Sequence, residues 1–168
     1  MHRRFLALVL AGAAGLASAQ LVPDDPDWKE QEAPKPPPLR TSGLIALEMR
    51  GSTLRFGVDP ASISIGPDGI VRYVVVATSP SGTVNAMYEG VRCTSGEVKV
   101  YARHNPDTGW VPGKGEWQPL QQTAHSRHSL QIARNGACIG HGPNRPAAAI
   151  ARDLRGGADL RFRGEGGG

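Results

Sequence analysis

The residues with the most chemical reach in this chain are two cysteines, Cys93 and Cys138, and three histidines near the second of them, His125, His128 and His141. His125 and His128 are three apart, and so are Cys138 and His141. Such spacing can set imidazole and thiolate around a tetrahedral zinc ion. The arrangement competes with a disulfide, because a bonded cysteine has no thiolate to offer. No G-x-S-x-G, H-E-x-x-H, phosphate-binding loop or C-x-x-C is present. Scattered serines, histidines and aspartates do not make a triad, which is defined by geometry. The residues therefore assign no catalytic group, no metal ligand and no cofactor. They do offer ligand-contact candidates. Arg72, Asn85, Glu89 and Arg92 are polar residues on strand-like segments, and Trp110 and Trp117 are indoles in a Gly/Pro-rich connection. The alternatives are cross-strand pairing for the polar four and core capping for the indoles.

The state of the cysteines depends on compartment, and the N-terminus speaks to that. Arg3 and Arg4 precede an apolar run from Phe5 to Leu16, and Ala17-Ser18-Ala19 follows as a small-residue cleavage signal. Residues 1–19 are expected to be a signal peptide, with Gln20 the mature N-terminus. The apolar run is shorter than the ~20 residues a membrane-spanning helix needs. No second such run occurs, and no cysteine follows the cleavage site, so neither a membrane span nor a lipid anchor is expected in the mature chain. The expected location is the periplasm, with release outside the cell as the alternative. In an oxidising compartment an isolated cysteine pair reads first as a disulfide, Cys93–Cys138, against two buried thiols.

Removing the leader takes away Arg3 and Arg4, so the formal charge falls from +4 to +2. The remaining basic residues are interspersed with acids, which argues against nucleic acid as a partner. With 22 glycines and 14 prolines the chain spends much of its length on turns, so its core is modest.

The elements that must position these residues follow from periodicity. Residues 20–40 form an acidic, then proline-rich arm, in which Trp28 is the one large aromatic. Residues 53–58 alternate, with Leu54, Phe56 and Val58 on one face. Gly66-Pro67-Asp68-Gly69 is a turn. Residues 70–79 are apolar on both faces, as in a covered central strand. Residues 83–92 and 96–103 continue an antiparallel meander of about four strands over 61–103. The segments 44–50 and 128–133 fit strand or helix. Residues 104–119 read as one long, broken connection. Ala147, Ile150, Ala151 and Leu154 form a helical stripe, with Pro146 at the first position and Gly156-Gly157 as the stop. The fold class expected is α+β: a small antiparallel sheet of four to six strands with one C-terminal helix, spanning 41–155. A Gly-rich tail, 156–168, is expected to be disordered.

The stretch from Asp68 to Cys93 resembles the core signature of the CNP1-like family, small exported proteins of Gram-negative proteobacteria. The shared positions include Asp68-Gly69, Val71-Arg72-Tyr73, Ser79, Ser81-Gly82, Asn85, Tyr88-Glu89-Gly90 and Arg92-Cys93. Trp28-Lys29-Glu30, Lys99-Val100-Tyr101-Ala102 and Trp117 fit it as well. The resemblance covers about residues 27–155 and carries no activity, ligand or catalytic residue. It implies an exported protein. The function expected is a non-enzymatic binding or structural module of the cell envelope, its partner an unidentified envelope protein or small ligand. The alternatives are a small-ligand binder using Trp110 or Trp117 beside Arg72 or Arg92, and an enzyme with a site formed by the sheet and the 104–119 loop.

Overall fold

The computed structural model describes residues 26–121 and 127–156. The proposed leader, the proposed tail beyond Gly156, and His125 lie outside them. The strands are β1 (Ile45–Leu47), β2 (Arg55–Val58), β3 (Ser64–Ile65), β4 (Val71–Thr78), β5 (Val84–Arg92), β6 (Glu97–Asn105), β7 (Gly109–Pro112) and β8 (Gln118–Pro119). A helix α1 (Arg127–Ile132) runs into a π-helical turn (Ala133–Ala137). A small pair, β9 (Cys138–Ile139) and β10 (Gly142–Pro143), follows, and α2 (Ala147–Arg155) closes the described chain.

The meander is present and extends on both sides. All pairings are antiparallel, in the order β1-β2-β4-β5-β6-β7, with β3 added on β4 and β8 on β6. The α+β class holds, but the main sheet has eight strands rather than four to six, and there are two helices rather than one. The excess has local causes. β2 and β3 line the same edge of β4, divided by a 3-10 turn (Pro60–Ser62) that Asp59 caps through Ala61 N. On the far edge of β6, β7 and β8 pair with its two ends. Residues 104–119 are thus two strand additions around a detour, not one loop. The β6–β7 turn is closed by Asn105 Oδ1, which accepts from the backbone of Asp107 and Thr108. The 128–133 segment resolves as helix. In α2, Pro146 stands at the N-cap, so the helix begins one residue later than expected.

Both faces of β4 are covered, as its two-sided apolar pattern requires. Val71, Tyr73 and Val75 face the helices and pack with Val91, Val98, Ile132, Ile150 and Leu154. Val74 and Val76 face the other way and pack with Ala86, Tyr88 and Ala102. That second face is closed by the N-terminal arm, through Ala33 and Leu39, and by Leu44 just after it. A disulfide joins Cys93, just past β5, to Cys138 at the end of the π-helical turn, with Cα atoms 5.7 Å apart. It ties the sheet to the helical layer.

Candidate functional site

Strand alternation divides the six ligand-contact candidates between two faces. Arg72, Arg92, Trp110 and Trp117 lie on the arm side, where each contacts the arm, although the buried Arg72 Nε has no hydrogen-bond partner among the described residues. Arg72 is 3% exposed and paired with Asp68, Nη2 to Oδ2 at 2.6 Å, and it also donates to Gln31 O. Arg92 lies 3.8 Å over the Trp28 ring, and Trp28 meets Trp117 edge-on. Trp28 Nε1 donates to Asp68 O, and Trp110 Nε1 donates to Pro37 O. Glu30 is the anchor: Lys99 Nζ, Tyr101 OH and Trp117 Nε1 all donate to its carboxylate at 2.8–3.0 Å.

The electrostatics follow from this geometry. Burial alone would raise Glu30. The hydrogen bonds from Lys99, Tyr101 and Trp117, with the lysine charge, outweigh it and hold the carboxyl below its ordinary value. Asp68 is lowered in the same way: Arg72, Gln31 N and Ile70 N overcome its burial. Tyr101 is pushed up, first by burial and then by the Glu30 carboxylate it donates to, so it remains a donor. The four residues recognise the chain's own arm, which makes this face a clamp.

A bulge next to Tyr101 makes the clamp possible. Val100 lies opposite Glu89 and Ala102 opposite Tyr88, so Tyr101 is an extra residue on β6. Its ring lies over Gly90, where an added Cβ would stand 2.7 Å from Tyr101 Cε2. The same bulge keeps Val98, Val100 and Arg103 all on the helix side.

On that helix side sit the other two candidates. Asn85 is exposed, in a shallow hollow with Phe56, Arg103, Arg127 and His128. Glu89 is 2% exposed and receives three donors: Tyr73 OH at 3.1 Å and Ser129 Oγ at 2.9 Å on Oε2, and His128 Nε2 at 2.9 Å on Oε1. A carboxylate only accepts, so Nε2 carries the hydrogen of the His128 ring. Phe56 stacks on that ring, with centroids 5.0 Å apart. Tyr73 is pushed well above its ordinary value by burial and then by the Glu89 charge, which keeps its hydroxyl protonated and donating.

Beside this cluster lies a half-open cavity of about 390 Å³. Its wall is Met87, Val98 and Val100, its inner end is Glu89, His128 and Ser129, and its rim carries Arg103, Lys114 and Glu116. The detour between β7 and β8 forms the outer side. Gly113 starts it by donating to Tyr101 O, and no Cβ fits there because it would collide with the Val100 carbonyl oxygen.

The zinc spacing does not assemble. Cys138 is bonded to Cys93, His128 is committed to Glu89, and His141 is exposed on the turn between β9 and β10. Among the described residues no three His, Cys, Asp or Glu side chains form a metal-binding group. None of their helices is long and apolar enough to cross a membrane.

The match to a family model decides what this fold and cavity belong to: the model of the CNP1-like family covers residues 23–155. The chain belongs to the CNP1-like family. No curated protein and no solved structure matches it. The matched span of this CNP1-like chain takes in the arm clamp, the Glu89 cluster and the whole cavity.

Sequence reasoning singled out Glu89 but missed most of what surrounds it. Tyr73 was partly legible as its neighbour, since the two fall on adjacent strands. His128 was read only as a zinc candidate, and Ser129, Arg103 and Lys114 had no motif to mark them. Glu30 carried a signal, as an acid two residues from the arm's only indole.

Proposed function

We propose that this CNP1-like protein is an exported, non-enzymatic binding module of the cell envelope, and that it takes a small ligand in the cavity between β5, β6, the 113–118 detour and α1. The observation that carries the reading is the cavity itself. Small-molecule sites are concave, of ~300–1,000 Å³, largely apolar, with a few placed polar groups. This one has an aliphatic wall on rigid strands and polar groups at both ends. The non-enzymatic part rests on how the hydroxyls are used. Ser129 and Tyr73 are each 1% exposed, and both donate into Glu89. Three donors share the one carboxylate, and no recognised catalytic motif in the sequence accompanies them. Here the carboxylate organises three donors and stiffens the wall. Export rests on the leader and on the disulfide.

The test is a fragment screen on the secreted protein, followed by backbone amide shifts. Hits should move the amides of 98–100, 113–118 and 127–129, and Val100→Trp, which fills the cavity from an edge of its wall, should abolish them. Hits that persist in Val100→Trp would overturn the cavity assignment. Hydrolytic turnover lost on Glu89→Gln would overturn the non-enzymatic reading. Intact mass should show cleavage before Gln20, and a mature protein keeping Phe5 to Leu16 would refute export.

A further inference from the structure

Building on the reading of the cavity as a ligand site, we propose that its ligand is a small amphiphilic anion: a carboxylate or phosphate-monoester head held between Arg103 and Lys114, with a short apolar body along Met87, Val98 and Val100.

The charge inventory points this way. Among the described residues the three cations that are not exposed, Arg72, Arg92 and Lys99, are engaged. Arg72 pairs with Asp68, Lys99 with Glu30 and Arg92 with Glu97, while Arg127 donates to Arg50 O. Arg103 and Lys114 are exposed, like several other cations without a side-chain partner, and what sets them apart is their place on the cavity. Both line the cavity, and neither side chain has an ion-pair or hydrogen-bond partner among the described residues. They stand on separate elements, β6 and the detour, so their side chains reach the same opening from two directions.

The acids nearby do not cancel them. Glu89 is covered by three donors, one of them an imidazole, so its charge is spread and shielded. Glu116 is one rim acid against two cations. The adjoining hollow shares Met87, Arg103 and His128 with the cavity and adds Arg127 with no acid. Cavity and hollow together carry three cations, Arg103, Lys114 and Arg127, against two carboxylates, of which Glu89 is covered, and concave low-dielectric walls strengthen the field of that excess.

The body of the ligand follows from the wall. Met87 is an adaptable thioether side chain, and Val98 and Val100 are β-branched and fixed on a strand. They present hydrocarbon and no donors, so what lies against them must be hydrocarbon too. A purely inorganic anion would leave that wall wet, and a neutral hydrocarbon would leave Arg103 and Lys114 unpaired.

The experiment titrates the secreted, disulfide-bonded protein with octanoate, octyl phosphate, 1-octanol and inorganic phosphate, following amide shifts. Octanoate or octyl phosphate should move the amides of 98–100 and 113–116 and bind about tenfold more tightly than 1-octanol, the size of one charge-assisted contact. Their ratio identifies the head group. Arg103→Gln and Lys114→Gln should each weaken the anions about three- to tenfold while leaving 1-octanol unchanged. The preference should shrink as salt is raised. Equal binding of 1-octanol and octanoate, insensitive to Arg103→Gln, would overturn the anion assignment and leave the cavity reading standing. Inorganic phosphate binding as tightly as octyl phosphate would overturn the amphiphile. Failure of every probe would overturn the assignment, and the Val100→Trp fragment comparison would then show separately whether the cavity reading falls with it.

Discussion

Glu89 is the residue on which the helix-side site depends. A nearly fully buried carboxylate is tolerated only when its lone pairs are matched, and Tyr73, His128 and Ser129 supply three donors from β4 and α1. The cluster therefore fastens α1 to the sheet as well as closing the cavity. Glu89→Ala should orphan three buried donors and destabilise the protein by about 3–5 kcal/mol, read from the urea midpoint. Glu89→Gln keeps one acceptor oxygen and should cost less than Glu89→Ala. Equal midpoints for wild type and Glu89→Ala would refute the role. The strand half of this cluster was partly legible: Tyr73 shares the face of Val71 and Val75, and Glu89 lies on the next strand. The helix half was not. α1 is one and a half turns long and shows no apolar period, so nothing in the sequence marked His128 and Ser129 as facing β5.

The arm is the element that most changes how the sheet should be understood. Residues 26–40 have no regular secondary structure of their own, yet they close one face of the sheet through Trp28, Glu30, Ala33 and Leu39. Trp28 stands out in the sequence as a large apolar payload in a polar arm, but whether the arm docks or serves as a spacer is left open there. Its dock was not recognisable, since a β-bulge at Tyr101 leaves no trace in a period-two pattern. Trp28→Ala removes a stacked guanidinium, an edge contact and a hydrogen bond, and should destabilise the fold by about 1–3 kcal/mol. It should also expose the arm to limited proteolysis. The Glu30 contacts predict a pH dependence. Its folded pKa lies below the ordinary 4.5, so its contribution is present above that value and is lost as pH falls through the folded pKa. Asp68 acts with the same sign. The stability gap between wild type and Glu30→Gln should therefore be full at neutral pH and close progressively below about pH 4.5. A gap that is unchanged at low pH would remove Glu30 as the anchor.

At the scale of the whole molecule, the two faces of the sheet are stabilised by different means. The arm side is held by ion pairs and indoles, whereas the helix side has a short α1, a π-helical turn and a nine-residue α2 packed on the sheet. Helices this short gain their stability from packing, and the cavity removes some of that packing between α1 and β6. The Cys93–Cys138 bond compensates at the point of need. It fixes the π-helical turn to the end of β5 and closes a loop of 45 residues, worth about 4 kcal/mol by loop entropy. That is comparable to the net stability of a small domain, ~5–15 kcal/mol. The double variant Cys93→Ser/Cys138→Ser should lose about this much in urea unfolding. The loss should also be uneven. Hydrogen exchange should rise most at the amides of 127–139 and 147–155, and least in β4 and β5, whose hydrogen bonds do not depend on the helical layer. On the proposed reading of the cavity as a ligand site, affinity there should fall with it, since His128 and Ser129 come from that layer. Uniform acceleration of exchange across sheet and helices would instead mean that the two layers unfold as one unit, and the disulfide would then have no special part in holding the cavity.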